Sequence, residues 1–416
     1  MSSRILVSAY ACVADPAVGV PGGGDAMAWN LVKRLRHAHR LWVLTAAQNR
    51  EALEAALRQE PLANVEFVYV DLPGWLRPLL RHQGTLQLYA YLWQWRAYGV
   101  ARKLHRQIKF DAFHQLSYEN DWMASMIGAF LPVPYFRGPC GGAHRIPRAF
   151  LVEFPLADRL AEGVREKGQW LFRHDPFFIL SHRRARAILV ANREAWEALP
   201  RSCRRKAPIV SVNGVPPELL ALAPPSQACV IGFHVLSAGR LVRIKGFDLA
   251  IKAFSRFARQ HPDSQFTIVG DGPERAPLQD LVQTLGLSPQ VRFEGWMAQQ
   301  QLFAKMASCD VFLFPSLRDG GGLVVVEAMA AGKPVICLDL GGPGLHVTDQ
   351  CGIKVRPKSP EQAVTDMAAA LERLYFDPEL RGRMGQAARQ RVEQVYDWDR
   401  VSERVLEVYR AALAGC

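Results

Sequence analysis

The stretch His234-Val235-Leu236-Ser237-Ala238-Gly239-Arg240-Leu241-Val242-Arg243-Ile244-Lys245-Gly246-Phe247 decides the fold class. Its first five residues form a run of strand length, Gly239 to Gly246 reads as a loop, and Phe247–Arg259 repeats apolar residues at helical spacing. Strand, glycine-bearing loop and helix in that order open a doubly wound α/β domain, whose ligands lie at the carboxyl ends of the strands. The alternation continues outward. Strands are expected at Gln265–Val269, Val291–Glu294, Val311–Pro315, Pro334–Leu338 and Ile353–Val355, with helices at Ala276–Leu285, Gln299–Ala307 and Leu323–Ala331 between them. Such alternation predicts a parallel sheet with right-handed crossovers.

The amino-terminal half begins the same way. Arg4–Tyr10 reads as a strand, Pro16 to Gly24 as a loop, and a helix starts at Asp25 and runs through Trp29, Val32 and Leu35. Two Rossmann-like domains facing a central cleft are therefore expected, 1–221 and 222–398, with Leu222-Ala223-Pro224-Pro225-Ser226-Gln227 as linker. Three helices follow at about 361–376, 378–394 and 398–414. A break at Tyr396-Asp397-Trp398 lets the last of them, within 399–416, cross back and complete the first domain.

Composition narrows the function classes. Of 416 residues 49% are hydrophobic and 22% charged, which is globular and excludes a disordered or low-complexity chain. The formal net charge of +12 suggests an anionic partner. Residues 1–219 carry 29 Lys and Arg against 18 Asp and Glu, and the remainder 22 against 21, so the excess sits in the first half. A uniformly basic nucleic-acid binder does not look like this. The eight cysteines are scattered without a C-x-x-C pair, which predicts buried thiols in a reducing compartment rather than disulfides or a zinc site. With no leader-like apolar segment at Met1 and no apolar run near 18 residues, the expected location is the cytoplasm or the inner face of the plasma membrane.

The second half concentrates the chemistry. Arg240 follows a strand and Lys245-Gly246 opens a helix, so both cations stand where a crevice ligand would sit. Two such cations beside a helix N-terminus suit a pyrophosphate, at roughly 1.5–3 kcal/mol per charge-assisted contact. A surface Arg and Lys solvating a loop is the plainer alternative. A second cluster follows: Pro315-Ser316 closes a strand, and Leu317-Arg318-Asp319-Gly320-Gly321-Gly322 leads into the helix that carries Glu327. Three glycines allow backbone amides to approach an anion. Asp319 and Glu327 need hydroxyl donors to be tolerated near a diphosphate, and a sugar or ribose supplies them. Gly341-Gly342-Pro343-Gly344 follows the next strand on the same rim.

These runs, together with Val269-Gly270-Asp271-Gly272-Pro273, Phe293-Glu294-Gly295, Glu327-Ala328-Met329-Ala330, Val212-Asn213-Gly214-Val215 and Tyr396-Asp397-Trp398, resemble glycosyltransferase family 4. Its members are retaining enzymes of the GT-B fold that use nucleotide sugars. The resemblance covers most of the chain and is tighter in the second half. It implies that Arg240 and Lys245 neutralise the donor diphosphate in place of a metal, with no cofactor. Glu327 would hold the ribose hydroxyls. Asp319 falls where the family usually has Glu reaching the transferred sugar, and Gly321 where an aromatic is common. The amides of Gly321, Gly322, Leu323 and Val324 would meet the phosphates, Gly239, Gly246 and Gly270 would line the donor site, and Glu294 and Gly295, within Phe293–Trp296, would border the base. Gly23, within Gly22-Gly23-Gly24, matches the family's loop after the first strand.

Front-face displacement is the mechanism the resemblance implies, the leaving phosphate taking the acceptor proton while the two cations and a helix end stabilise its charge. No carboxylate pair for double displacement stands out in the first half. On the acceptor side the family often has a histidine where this chain has Pro134-Tyr135-Phe136-Arg137-Gly138-Pro139, which makes Arg137 and the nearby His144 candidates, with His114 read as a packed strand-end residue. Leu72–Phe110 interleaves Trp75, Tyr89, Tyr91, Trp93, Trp95 and Tyr98 with Arg77, Arg81, Arg96, Arg102, Lys103, Arg106 and Lys109. That pattern suits a helix on an anionic membrane, or a core face of aromatics with a solvated basic face. The expected reaction moves a hexose from a UDP- or GDP-sugar to a saccharide acceptor, polyprenyl-diphosphate-linked, as in exopolysaccharide or O-antigen assembly. Rival readings are a GT-B nucleotide-sugar epimerase and an inactive basic binding protein.

Overall fold

The computed structural model describes residues 3–13, 24–76, 83–117, 122–211, 213–221 and 232–413. Gly22 and Gly23, the linker Leu222–Gln227, and Arg77 and Arg81 lie outside the described residues.

Short apolar runs become strands because β-branched and aromatic side chains pack on a pleated, covered surface. In the first half these are β1 (Arg4–Ala9), β2 (Arg40–Ala46), β3 (Val65–Val70), β4 (Ala112–Ser117), β5 (Tyr135–Cys140) and β6 (Ala185–Val190), in the parallel order β3-β2-β1-β4-β5-β6. In the second half β7 (His234–Ala238), β8 (Gln265–Val269), β9 (Val291–Phe293), β10 (Val311–Phe314), β11 (Val335–Leu338) and β12 (Gly352–Val355) lie parallel in the order β12-β11-β10-β7-β8-β9. The two orders are one topology, the doubly wound arrangement whose chain reverses direction beside its first strand. β4 and β5 are buried throughout, whereas the edge strand β3 is mostly half-exposed.

The chain forms two units. The first comprises 1–143, 160–212 and 401–416, and the second 144–159 and 213–400. The boundaries expected at 221/222 and 398/399 therefore fall at 212/213 and 400/401, and packing explains the shift. Val215 and Leu219 are buried against Phe312, Phe314 and Tyr396, which ties the segment after 212 to the second unit. Ile146 and Phe150 join the core of Phe247, Leu249 and Phe254, carrying 144–159 with them. The carboxyl-terminal helix Trp398–Leu413 buries Val401, Val405 and Tyr409, and from Val401 onward it belongs to the first unit.

The helix Gln83–Ile108 resolves the aromatic and basic stretch. Tyr89 and Trp93 are buried in the first unit's core, and Trp95 packs on Phe130 and Phe177. Arg96, Arg102, Lys103 and Arg106 are exposed, so the core-face alternative describes this helix. Trp75, before the helix, is 77% exposed. Among the described residues no helix is long and apolar enough to cross a membrane. Cys12, Cys140, Cys203, Cys309, Cys337 and Cys351 are buried free thiols.

Candidate functional site

In the second unit the chain runs from β7 outward through β8 to β9, then returns to β10 on the other side of β7. That reversal beside β7 is the place at which sheets of this kind bind ligands, outside the carboxyl ends of their strands. The loop after β7 carries Gly239 and Arg240, and the loop after β10 carries Asp319 to Gly322. Backbone bonds lace the neighbouring loops together: Gly239 donates to Val269 O at 3.0 Å, Gly270 to Gly295 O at 2.7 Å, and Leu241 to Asp271 O at 2.8 Å. The fit is close. A Cβ on Gly270 would stand 1.9 Å from Gly239 O, and one on Gly246, at φ 66°, 2.4 Å from Pro315 O. Gly246 is also the residue from which the helix Phe247–Ala258 starts.

The cations differ in their settings. Arg240 is exposed at the rim and has no ion pair among the described residues. Arg243, on the same loop, is by contrast tied to Glu274 at 3.0 Å and Asp158 at 3.2 Å. Lys245 is mostly buried, lies 5.3 Å from the centroid of the Phe314 ring and is ion-paired with Asp319.

Asp319 spends both oxygens inside the protein, Oδ2 on Lys245 and Oδ1 accepting the Gly322 N–H at 2.7 Å. The expected reach to a sugar hydroxyl therefore competes with two internal contacts. Of the four amides from Gly321 to Val324, that of Gly322 is already donated. Leu323 and Val324 open the helix Leu323–Ala330, and among the described residues their amides have no backbone partner, as the first N–H groups of a helix do not. Amides in such a place can receive an anion.

Glu327 sits one turn into that helix, 7% exposed. Burial raises its carboxyl to about 7, and a 2.6 Å bond from Gln299 Nε2 to Oε1 partly offsets the shift. Gln299 was not singled out by the sequence, and no signal marks it beyond its place as first residue of the helix Gln299–Ser308. Glu294 is paired with Lys305 at 2.6 Å, and Trp296 beside it is 74% exposed. Among the described residues no group of three or more His, Cys, Asp or Glu is arranged to hold a metal.

The acceptor-side candidates separate. Arg137 is 1% exposed on β5, its guanidinium donating to Met123 O at 2.6 Å and standing 3.5 Å from the Tyr135 hydroxyl, so it braces the core and offers an acceptor no surface. His144 belongs to the second unit, not the first, and its Nε2 stands 2.7 Å from where a Cβ on Gly320 would lie. His114 is packed as expected: Nε2 bonds Gly138 O at 2.6 Å, Nδ1 bonds the Tyr409 hydroxyl, and burial lowers the ring to about 4.

Residues 232–391 match the family model for glycosyl transferases group 1. A glycogen synthase of Mycobacterium tuberculosis is 35% identical over 183 residues, 44% of this chain and 43% of that protein. A D-inositol 3-phosphate glycosyltransferase of Paenarthrobacter aurescens is 35% identical over 188 residues, 44% of this chain and 45% of that protein. Each match thus spans less than half of the relative's length. The crystal structure of Anabaena Alr3699/HepE in complex with UDP superposes with a TM-score of 0.66 at 18% identity, covering 99% of this chain and all of that one. This likeness establishes the fold: the α/β, two-domain GT-B architecture.

Proposed function

We propose that the protein is a retaining glycosyltransferase that moves a hexose from a UDP- or GDP-sugar to a saccharide acceptor. The observation that carries this reading is the set of loops after β7 and β10: they carry Arg240, which has no ion pair among the described residues, Lys245, and the leading amides of the helix that holds the buried Glu327. The glycosyl transferases group 1 match over 232–391, which contains all of these residues, and the UDP complex of the Anabaena protein support it.

The chemistry follows from the charges. As the bond between anomeric carbon and phosphate oxygen breaks, negative charge grows on the diphosphate. Arg240, Lys245 and the helix N-terminus meet that charge with dipoles and cations already in place. Glu327 accepts hydrogen bonds from the ribose hydroxyls, and the exposed Trp296 offers a face on which the base can stack. Lys245 leaves or shares Asp319 as the donor enters. The leaving phosphate takes the acceptor proton on the same face, so the configuration is retained. Protein cations do the work of a metal in this scheme, and excess EDTA is expected to leave the rate unchanged.

The acceptor is proposed to be polyprenyl-diphosphate-linked and reached from the cytoplasmic membrane face. The basic excess of residues 1–219 supports this, with Arg96, Arg102, Lys103 and Arg106 exposed along one helix. Sedimentation with anionic vesicles, reversed by salt, is the expected behaviour, and full activity on soluble acceptors without vesicle binding rejects it.

The direct test pairs nucleotide-sugar turnover with thermal shift against UDP, GDP, ADP and TDP and their sugars. Arg240→Ala is expected to lower kcat by about 100-fold to 1000-fold, the scale of losing one donor to a developing charge. Turnover unchanged in both Arg240→Ala and Glu327→Ala rejects the assignment.

A further inference from the structure

Two sequence motifs outside the donor residues converge on the glycine loop. Asn213, from the Asn213-Gly214-Val215 motif, donates Nδ2 to the Gly321 carbonyl oxygen at 2.5 Å. His346, last residue of the short helix Gly341–His346, brings Nε2 to the same oxygen at 2.5 Å. Tyr396, from the Tyr396-Asp397-Trp398 motif, holds the other ring nitrogen, Oη to Nδ1 at 3.0 Å, its ring edge-on to the imidazole. The motifs are also joined to each other. The Val215 N–H donates to Tyr396 O at 2.7 Å, and a Cβ on Gly214 would meet the Trp398 ring at 2.3 Å.

The protons can be placed. Asn213, His346 and Tyr396 are all buried, and burial lowers the His346 ring to about 4, so it is neutral and carries one N–H. A carbonyl only accepts, which puts that proton on Nε2 and makes Nδ1 the acceptor for the Tyr396 hydroxyl. Asn213 Nδ2 and His346 Nε2 are 3.3 Å apart and both aim a proton at Gly321 O, filling its two lone-pair sites. On the opposite edge of the same peptide the Gly322 N–H donates to Asp319 Oδ1. The Gly321–Gly322 peptide is thus gripped from both sides.

That grip matters because a peptide between two glycines has the fewest steric barriers to turning over. Turning over would exchange N–H for C=O on each face, immediately before the amides of Leu323 and Val324. We propose that His346, backed by Tyr396 and joined by Asn213, is a positioning residue that clamps the Gly321–Gly322 peptide and so fixes the direction in which the following helix offers its first amides to the donor diphosphate. The proposal deepens the donor-site reading and rests on it.

The test uses the full chain with His346→Ala and His346→Gln, the latter keeping an N–H donor. Exchange of the Gly322 amide proton is followed by NMR without ligand, and binding of UDP and of inorganic pyrophosphate by calorimetry. His346→Ala is expected to speed Gly322 exchange and to weaken both ligands by about fivefold to tenfold, the scale of one buried hydrogen bond. His346→Gln is expected to recover most of both. In the wild type the His346 nitrogens are expected to show the Nε2–H tautomer in their 15N shifts. An Nδ1–H tautomer, unchanged Gly322 exchange, or faster exchange with unchanged affinity overturns the clamp. Should His346→Ala fail to fold, His346→Gln and the 15N shifts decide alone, a Gln variant that binds no better than Arg240→Ala counting against the clamp. Wild-type protein that binds neither probe overturns the donor reading and the clamp's role with it, whereas equal binding by wild type and folded variants overturns the clamp only.

Discussion

Glu327 couples the site to pH. Its folded-state value of about 7 lies above the ordinary 4.5, so as pH rises the unfolded chain ionises first. The contribution of this group to stability is therefore complete below about 4.5 and is lost as pH climbs through 7. Ribose hydroxyls donate to the ionised form, so nucleotide affinity is expected to move the other way, rising from pH 6 to pH 8. Glu327→Gln should flatten both trends, read by thermal melts and by calorimetric titration with UDP. The places of Arg240, Lys245 and Glu327 on their loops and helix were legible in the sequence because strand ends and helix starts position them. The roles of Asp319 and Arg137 were not. Asp319 answers to Lys245, 74 residues earlier in the chain, and to an amide three residues on, a pairing that only the folded loop creates. Arg137 looks like a crevice cation until β5 turns it into the core beside Met123 O.

At the scale of elements, the loop after β7 is built so close to those after β8 and β10 that side chains are excluded between them. Gly246→Ala places a Cβ 2.4 Å from Pro315 O at a φ of 66°. It is expected to cost about 1–3 kcal/mol in denaturant unfolding and to displace Lys245 next to it, weakening pyrophosphate binding. Gly214→Ala, whose Cβ would enter the Trp398 ring, is expected to loosen the junction of its two motifs at comparable cost. The second half's strands and helices were legible almost to the residue, since short apolar runs alternate there with clear helical spacing. Gln83–Ile108 was not assignable to core or surface, because aromatics that pack inward and cations that face outward share one 26-residue helix.

At the scale of the molecule, neither unit is one continuous stretch of chain. Residues 144–159 leave the first half to join the second unit's core, and Val401 onward returns to the first. Composition could suggest two domains and the Tyr396-Asp397-Trp398 break could suggest a return. The excursion at 144–159 carried no compositional mark, because Ile146 and Phe150 find their partners only in the tertiary fold. Removing residues 401–416 is expected to uncover His114 and Phe136, which Tyr409 covers, lowering the unfolding temperature of the first unit more than that of the second in calorimetry. A ribosome delivers a chain in one direction, and domains usually close as they emerge. Here the first unit waits for its last helix until the entire second unit has been made. During each round of synthesis its sheet must stand without Val401, Val405 and Tyr409, so the half made first is the half that finishes last.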